Sequence, residues 1–164
     1  MYSLGFHNSV SSGVALYKDK KLLLAITEER LNRVKNFHGF PKLSIQFVLE
    51  KYSLNLNDIS EFCYGMFSDI YPTNHELERL LIDSTNFDPN INPALLAKPI
   101  ERIKTELDWN KKHFMEVIEW FNQNNIPIDR LYCYDHHLCH ATGSLFLSPF
   151  CNEEEVLCFT ADGK

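Results

Sequence analysis

The stretch Tyr132–Ala141, with the sequence YCYDHHLCHA, joins a short apolar run to a segment rich in small residues. Three of the chain's seven histidines fall within five residues of this stretch, directly after an aspartate. His136 and His140 are four positions apart, so on a helix they lie on one face about one turn apart. Two imidazoles at that spacing can reach one cation. The alternative is a helix start whose histidines are capping or surface residues.

The segments around this cluster predict a strand before it and a helix after it. Leu131–Tyr134 reads as a strand and Leu138–Leu147 as a helix with Ala, Thr, Gly and Ser in its centre. Open α/β sheets place their sites between a strand end and the following helix. The N-terminus of that helix also supplies the partial positive charge that anions favour.

A third ligand is expected from the end of the chain. Val156–Thr160 reads as a sixth strand, and it would deliver Asp162 at its end. If this strand neighbours the fifth, Asp162 can approach His136 and His140. Two imidazoles and one carboxylate are a familiar ligand set for Fe, Mn or Zn.

The first half of the chain predicts an α/β layer that opens with a β-meander. Three short apolar runs are separated by tight polar turns: Tyr2–Phe6, Val14–Tyr17 and Leu22–Ile26. A helix over Lys42–Tyr52, opened by Pro41, then leads into an apolar strand over Glu61–Phe67. A meander followed by helix and strand is typical of an α/β fold.

The middle of the chain carries a weaker pattern. Residues Ser68–Lys98 hold three prolines before Lys98 and several asparagines, and they read as an irregular insertion with one short helix at Glu76–Ile82. Ile100–Asn122 is helical in periodicity, most clearly over His113–Phe121. In this interpretation His113 is a histidine on the helix surface.

Two further groups of residues are candidates for binding an anion. The first turn offers hydroxyls and backbone N–H groups that can cradle an anion or a carbonyl, and the segment after the third strand offers cations for a phosphate or carboxylate. These candidates are Ser9, Ser11 and Ser12, then Arg30, Arg33 and Lys35. Glu28 or Glu29 could bind an amine or orient those bases. The alternatives are an ordinary hairpin loop and a solvated surface segment.

Composition excludes several classes of function. A net charge of -6 with no long basic run argues against a general nucleic-acid binder. No stretch approaches the ~20 apolar residues of a membrane span, and the N-terminus lacks the basic and apolar regions of a signal peptide. Five cysteines, an odd number without a CxxC pair, indicate reduced thiols and a cytoplasmic protein rather than a disulfide framework.

Four segments in order resemble the N-terminal part of the O-carbamoyltransferase family, typified by nodulation and antibiotic carbamoyltransferases. The segments are Leu4–Ser9 with Gly13–Leu16, Glu28–Lys35 with Gly39–Pro41, Asp135–Ala141 with Ser148–Phe150, and Thr160–Gly163. The resemblance covers the chain from end to end, but Ser68–Asn122 matches only loosely. It makes residues 1–164 an N-terminal carbamoyltransferase-like domain with an insertion at about 68–98.

The resemblance implies a fold and a chemistry. The fold is a ribonuclease H-like lobe of the actin-like ATPase and sugar-kinase superfamily. In the family, a second, YrdC-like domain makes carbamoyl-adenylate from carbamoyl phosphate and ATP, and the N-terminal domain passes the carbamoyl group to the hydroxyl of a small acceptor. His136, His140 and Asp162 match metal ligands, with iron expected and Mn or Zn as alternatives. His7 matches a histidine that could act as general base.

The end of the sequence leaves other readings open. A strand running into Asp162-Gly163 predicts a following turn, so the chain is expected to be part of a longer protein, or one half of a split protein with a partner chain or an oligomeric partner. On its own it is then not expected to complete the reaction. An enzymatic alternative to the carbamoyltransferase is a metal-dependent phosphoesterase, because Asp135-His136-His137 matches the Asp-His-His motif of such enzymes. Those enzymes also need spaced aspartates after an early strand, and here the first aspartate is Asp19.

Overall fold

The structure of the protein, a computed structural model, describes residues 1–67 and 93–160. The short helix predicted at Glu76–Ile82 lies outside the described residues, as does Asp162. The same holds for most of the insertion predicted at 68–98.

A five-stranded mixed sheet forms the centre of the described part of the chain. Its strands are β1 (Tyr2–His7), β2 (Gly13–Lys18), β3 (Lys21–Thr27), β4 (Ile59–Phe67) and β5 (Leu131–Asp135), in the order β3-β2-β1-β4-β5. The first three strands are an antiparallel meander, whereas β4 lies parallel to both β1 and β5. The predicted fold class, an α/β lobe whose mixed sheet opens with a meander and is flanked by helices, is confirmed.

Four helices accompany this sheet in the described ranges. They are α1 (Glu29–Asn32), α2 (Lys42–Lys51), α3 (Pro93–Gln123) and α4 (His136–Phe146). Within the described residues, helix α3 begins at Pro93, before the predicted start at Ile100. The single turn α1 was not predicted, since its charges form no stripe. Arg33 is its C-cap residue, and the φ of 64° at Arg33 lies in the left-handed region.

One face of the sheet is buried against α2 and α3. Alternation along the strands brings Leu4 and Phe6 of β1 to the same face as Phe62 and Tyr64 of β4, and all four are buried. Phe62 makes edge-to-face contacts with Trp120 and Phe121 of α3 at ring-centroid distances of 6.0 and 5.2 Å. The aromatic packing between β4 and α3 therefore forms the centre of the core.

The opposite face of the sheet carries small side chains. Gly5 of β1 is directly opposite Ala15 of β2 and Cys63 of β4, and Ala15 is opposite Ala25 of β3. Side chains of this size leave space above the sheet, and α4 lies beside that space at the end of β4 and β5.

Two predictions about the second half of the chain are wrong. Residues 156–160 form no strand, and Leu157 and Phe159 are 96% and 90% exposed. The segment has a strand-like composition, but a strand exists only through hydrogen bonds to a neighbour, and none of the described strands pairs with it. His113 is buried at 7% exposure rather than lying on the surface, because its ring packs on Trp109 and its Nδ1–H donates to the Trp109 carbonyl at 2.7 Å.

Candidate functional site

A cavity of about 890 Å³ opens on the small-residue face, at the carboxyl ends of the parallel strands. His7 lies at the end of β1 and Tyr134 near the end of β5, while the first turns of α4 form another wall. The cavity brings together five of the residues predicted to bind or react: His7, Ser9, Arg30, His136 and His140. Residues far apart in the sequence thus meet where open α/β sheets place their sites.

The start of α4 places the two histidines of the cluster side by side. Asp135 caps the helix, since its Oδ1 accepts a hydrogen bond from the backbone N–H of Leu138 at 2.9 Å. The cap begins the helix at His136, so His140 follows one turn later on the same face. The Nε2 atoms of these two rings are 3.1 Å apart, and the ring centroids are 4.5 Å apart.

This separation fits two nitrogen ligands of one metal ion. Two nitrogens that each lie about 2.0–2.1 Å from an ion, at angles of about 90–110°, are about 2.8–3.4 Å apart. The same separation fits a hydrogen bond between one protonated and one bare Nε2, so the pair suits either state. Within the described ranges no cluster of three or more His, Cys, Asp or Glu side chains could hold a metal. The third predicted ligand, Asp162, lies outside those ranges.

His137, the middle histidine of the motif, has a different environment. Its exposed ring meets the His136 ring edge to face, with centroids 5.6 Å apart. It is not among the residues that line the cavity. His137 therefore packs against a candidate ligand and does not join the pair.

The environment of His7 favours the neutral form of its imidazole. Burial lowers the pKa of its imidazole, and the nearby positive charge that His136 and His140 can carry lowers it further. A histidine whose pKa lies below the ordinary value is uncharged at pH 7 and can accept a proton. This is the protonation state that a general base needs.

The predicted anion-binding residues separate into two groups. Ser9 and Arg30 line the cavity, whereas Ser11, Ser12, Arg33 and Lys35 do not. Ser12 is fully buried, and its Oγ has no hydrogen-bond partner among the described residues. Arg33 and Lys35 are exposed away from the cavity. The roles of all six residues in binding stay predictions.

The two glutamates of the charged segment serve the local fold. Glu28 is buried, and its two carboxylate oxygens accept hydrogen bonds from the backbone N–H groups of Leu43 and Ser44 at 3.0 and 2.7 Å. It therefore caps the N-terminus of α2 from a distant position in the sequence, where a negative charge is stabilising. Glu29 accepts a hydrogen bond from the backbone N–H of Asn36 at 2.9 Å.

Asn8, which follows His7, supports the site from the core side of the sheet, a role that sequence reasoning missed. Its fully buried amide donates to the His113 carbonyl at 2.8 Å and to Glu116 at 3.2 Å, and its Oδ1 accepts from the Tyr64 hydroxyl at 2.9 Å. Burial raises the pKa of Tyr64 far above its ordinary value, so the hydroxyl keeps its proton. The end of β1 is thus tied to α3 and β4 directly beside His7.

Gly13 was named above only within a segment of the family resemblance, but the close approach of β3 requires a glycine at this position. It lies opposite His7 in the sheet, and a Cβ at this position would lie 2.6 Å from the carbonyl oxygen of Ile26. No side chain fits there without a shift of the backbone. A glycine directly opposite a polar residue at a strand end is the signal that could have identified it.

The thiols of the cavity are protonated at neutral pH. Burial raises the pKa of Cys63 to about 11, and it also raises the pKa of Cys139. A thiol in this state is a small packing group rather than a nucleophile.

Taken together, a mixed sheet with a pair of histidines and a third, neutral histidine at its carboxyl edge defines an α/β lobe with a polar candidate site. A family model described as Carbamoyltransferase N-terminus matches residues 3–164. The chain belongs to this family.

Two curated relatives are similar to the chain over most of its length. The nodulation protein NolNO of Sinorhizobium fredii (strain NBRC 101917 / NGR234) is 29% identical over 150 residues, which cover 90% of this chain and 18% of that protein. An uncharacterized protein, sll1178, of Synechocystis sp. (strain ATCC 27184 / PCC 6803 / Kazusa) is 27% identical over 153 residues, which cover 93% of this chain and 24% of that protein. The chain thus spans less than a quarter of either relative.

None of the described helices is both long enough and apolar enough to cross a membrane.

Proposed function

We propose that this chain is the N-terminal portion of an ATP-dependent O-carbamoyltransferase, which transfers a carbamoyl group from carbamoyl-adenylate to a hydroxyl of a small metabolite or sugar. The observation that carries the proposal is one cavity that holds a neutral histidine base and a pair of histidines spaced for one ion. Membership of the carbamoyltransferase family supports the choice of reaction. ATP and carbamoyl phosphate are the proposed co-substrates.

His7 acts as the general base for the acceptor. It takes the proton of the acceptor hydroxyl while that oxygen bonds to the carbamoyl carbon. The bond between this carbon and the phosphate oxygen of the adenylate breaks, and AMP leaves with the electron pair. Its lowered pKa keeps His7 ready for this step at neutral pH.

The other polar residues of the cavity bind the charged part of the donor. His136 and His140, together with Asp162, would hold a divalent metal, with iron proposed first and Mn or Zn as alternatives. Such an ion supplies positive charge to the phosphate leaving group. Arg30 offers a second positive charge at the cavity wall, and Ser9 offers hydrogen bonds to the developing oxyanion.

Two observations separate this proposal from the phosphoesterase alternative. Asp135, the first residue of the Asp-His-His motif, is engaged as the cap of α4. The early strand ends in His7 rather than in an aspartate. A cytoplasmic location is proposed as well, because all five cysteines lie in the described part of the chain and none of them forms a disulfide.

The test of the proposal is carbamoyl transfer by the full-length protein that contains this chain. The enzyme is incubated with ATP, carbamoyl phosphate and a panel of hydroxylated acceptors, and AMP release and acceptor mass are measured. The variant His7→Gln is expected to lower kcat by about 10²–10⁴-fold, the usual contribution of a positioned general base. His38→Gln, at an exposed histidine outside the cavity, is the matched control and is expected to keep the wild-type rate. A normal kcat for His7→Gln would contradict the general-base role.

A further inference from the structure

Helix α4 meets the sheet through a close contact between Gly65 of β4 and Cys139. The Sγ atom of Cys139 lies 3.3 Å from the point where a Cβ on Gly65 would be, and its Cβ lies 4.0 Å from the same point. Separations of 3.3 Å are tight for a real Cβ, so the absence of a side chain at Gly65 lets the helix approach this closely. Both residues line the cavity.

The contact lies within the turn that carries the two histidines. Cys139 follows His136 by three positions and directly precedes His140, so the backbone atoms that it anchors also carry both rings. The Cys139 side chain acts in this contact as a small packing group. A change in the distance between Cys139 and β4 must therefore move His136 and His140 relative to the strand ends.

We propose that Gly65 and Cys139 are positioning residues: their contact sets the height of α4 above the sheet and thereby places His136 and His140 in the cavity with His7. This inference rests on the proposed function for the metal-binding role of His136 and His140, but the contact between Gly65 and Cys139 is a property of the fold. Neither residue touches the reacting groups in this role.

A glycine elsewhere on the same helix provides a matched control. A Cβ added to Gly143 would meet nothing within 4 Å. Gly143→Ala changes the same residue type on α4 without altering the contact with the sheet. It is expected to keep the wild-type properties of the histidine pair, and its effect on stability is that of a helical glycine replaced by alanine.

The experiment compares variants of the chain in which a second substitution is expected to restore what the first disturbs. Binding of Co²⁺ alone is followed spectroscopically, and the imidazole NMR signals of His136 and His140 are recorded without metal. The variants are Gly65→Ala, Gly65→Val, Cys139→Ala and the double variant Gly65→Ala with Cys139→Ala. Gly65→Val is expected to weaken Co²⁺ binding about tenfold, which is the lower end of the effect seen when residues that orient metal ligands are changed. Gly65→Ala is expected to weaken it by less. The double variant is expected to recover the wild-type affinity to within about twofold, because removing Sγ makes room for the new Cβ.

The two readouts separate failure of the inference from failure of the proposed metal site. If the wild-type chain binds no Co²⁺, or binds it equally after His136→Ala with His140→Ala, the metal site fails in this chain. The imidazole signals then decide the inference: they must shift in Gly65→Ala, return in the double variant and stay in place in Gly143→Ala. The inference would be overturned if the imidazole signals and the Co²⁺ affinity of Gly65→Ala equalled those of the wild type. It would also be overturned if the signals shifted in Gly65→Ala but did not return when Cys139→Ala was added. If Gly65→Val does not fold, Gly65→Ala and the double variant give the same decision.

Discussion

The two faces of the sheet differ in the volume of the side chains that they carry. On the core face, β1 and β4 contribute Leu4, Phe6, Phe62 and Tyr64, all buried under α2 and α3. On the site face, the directly opposed residues of the same two strands and of β2 are Gly5, Cys63 and Ala15. The period-two alternation of a strand thus assigns stability to one face and an open cavity to the other.

The contrast extends to the polar residues at the end of β1. Asn8 is buried and fully engaged with α3 and β4, whereas His7, one residue earlier, lies at the cavity with a lowered pKa. Neighbouring residues in the sequence therefore have different environments: Asn8 fixes the strand end, and His7 faces the cavity as the proposed general base. Changes on the two faces are therefore expected to differ in their effect on the free energy of unfolding.

The largest effect is expected on the core face. Phe62→Ala removes a fully buried ring from between Trp120 and Phe121, and the free energy of unfolding is expected to fall by about 3–5 kcal/mol. Gly5→Ala is the matched change on the site face, where the new Cβ would lie 3.8 Å from the Ala15 carbonyl oxygen, an ordinary contact. It is expected to alter the same quantity by no more than about 1 kcal/mol. Urea denaturation followed by circular dichroism measures both, and equal losses would show that the two faces contribute alike.

Alternation is also the reason that much of the fold could be predicted from the sequence. The apolar runs of the meander, the strand at Glu61–Phe67 and the strand before Asp135 each carry a local pattern that their neighbours in space reinforce. The position of His136 and His140 on one face of the helix followed from helical spacing alone. These features depend on residues that are close in the sequence.

The features that could not be predicted depend on contacts between distant segments. The burial of His113 requires α3 to lie against the end of β1, and the role of Gly65 requires α4 to lie over β4. The error at Val156–Thr160 has the same origin, since a strand-like composition does not supply a pairing partner. Local patterns therefore gave the elements and the histidine pair, but not the contacts that hold the pair in place.

A smaller effect is expected at the boundary between the two faces. Asn8→Ala removes an amide that makes hydrogen bonds to the His113 carbonyl, to Glu116 and to the Tyr64 hydroxyl, and it leaves these buried groups without that partner. The free energy of unfolding is expected to fall by about 2–3 kcal/mol. Tyr64→Phe removes only one of these hydrogen bonds and is expected to cost about 1 kcal/mol. Thermal or urea unfolding compares the two variants, and an Asn8→Ala variant as stable as Tyr64→Phe would mean that the contacts with α3 contribute little.

The smallest effect is expected on the site face, as a pH dependence of stability that comes from His7. Burial, followed by the charges of His136 and His140, holds the pKa of His7 below the value of 6.5 that it has in the unfolded chain. In that pH range the unfolded state binds more protons than the folded state, so stability rises with pH. The contribution is fully present above about pH 6.5 and is lost as the pH falls through the pKa of the folded state.

Between about pH 7.5 and 5.5, His7→Gln is expected to lose less stability than the wild type, and His38→Gln, at an exposed histidine, as much as the wild type. The midpoints of urea denaturation across this range provide the measurement. If His7→Gln and the wild type lost stability equally as the pH falls, the acid sensitivity would come from groups other than His7. The site face would then make no pH-dependent contribution through His7, and the two faces would differ only in the stability that the core face provides.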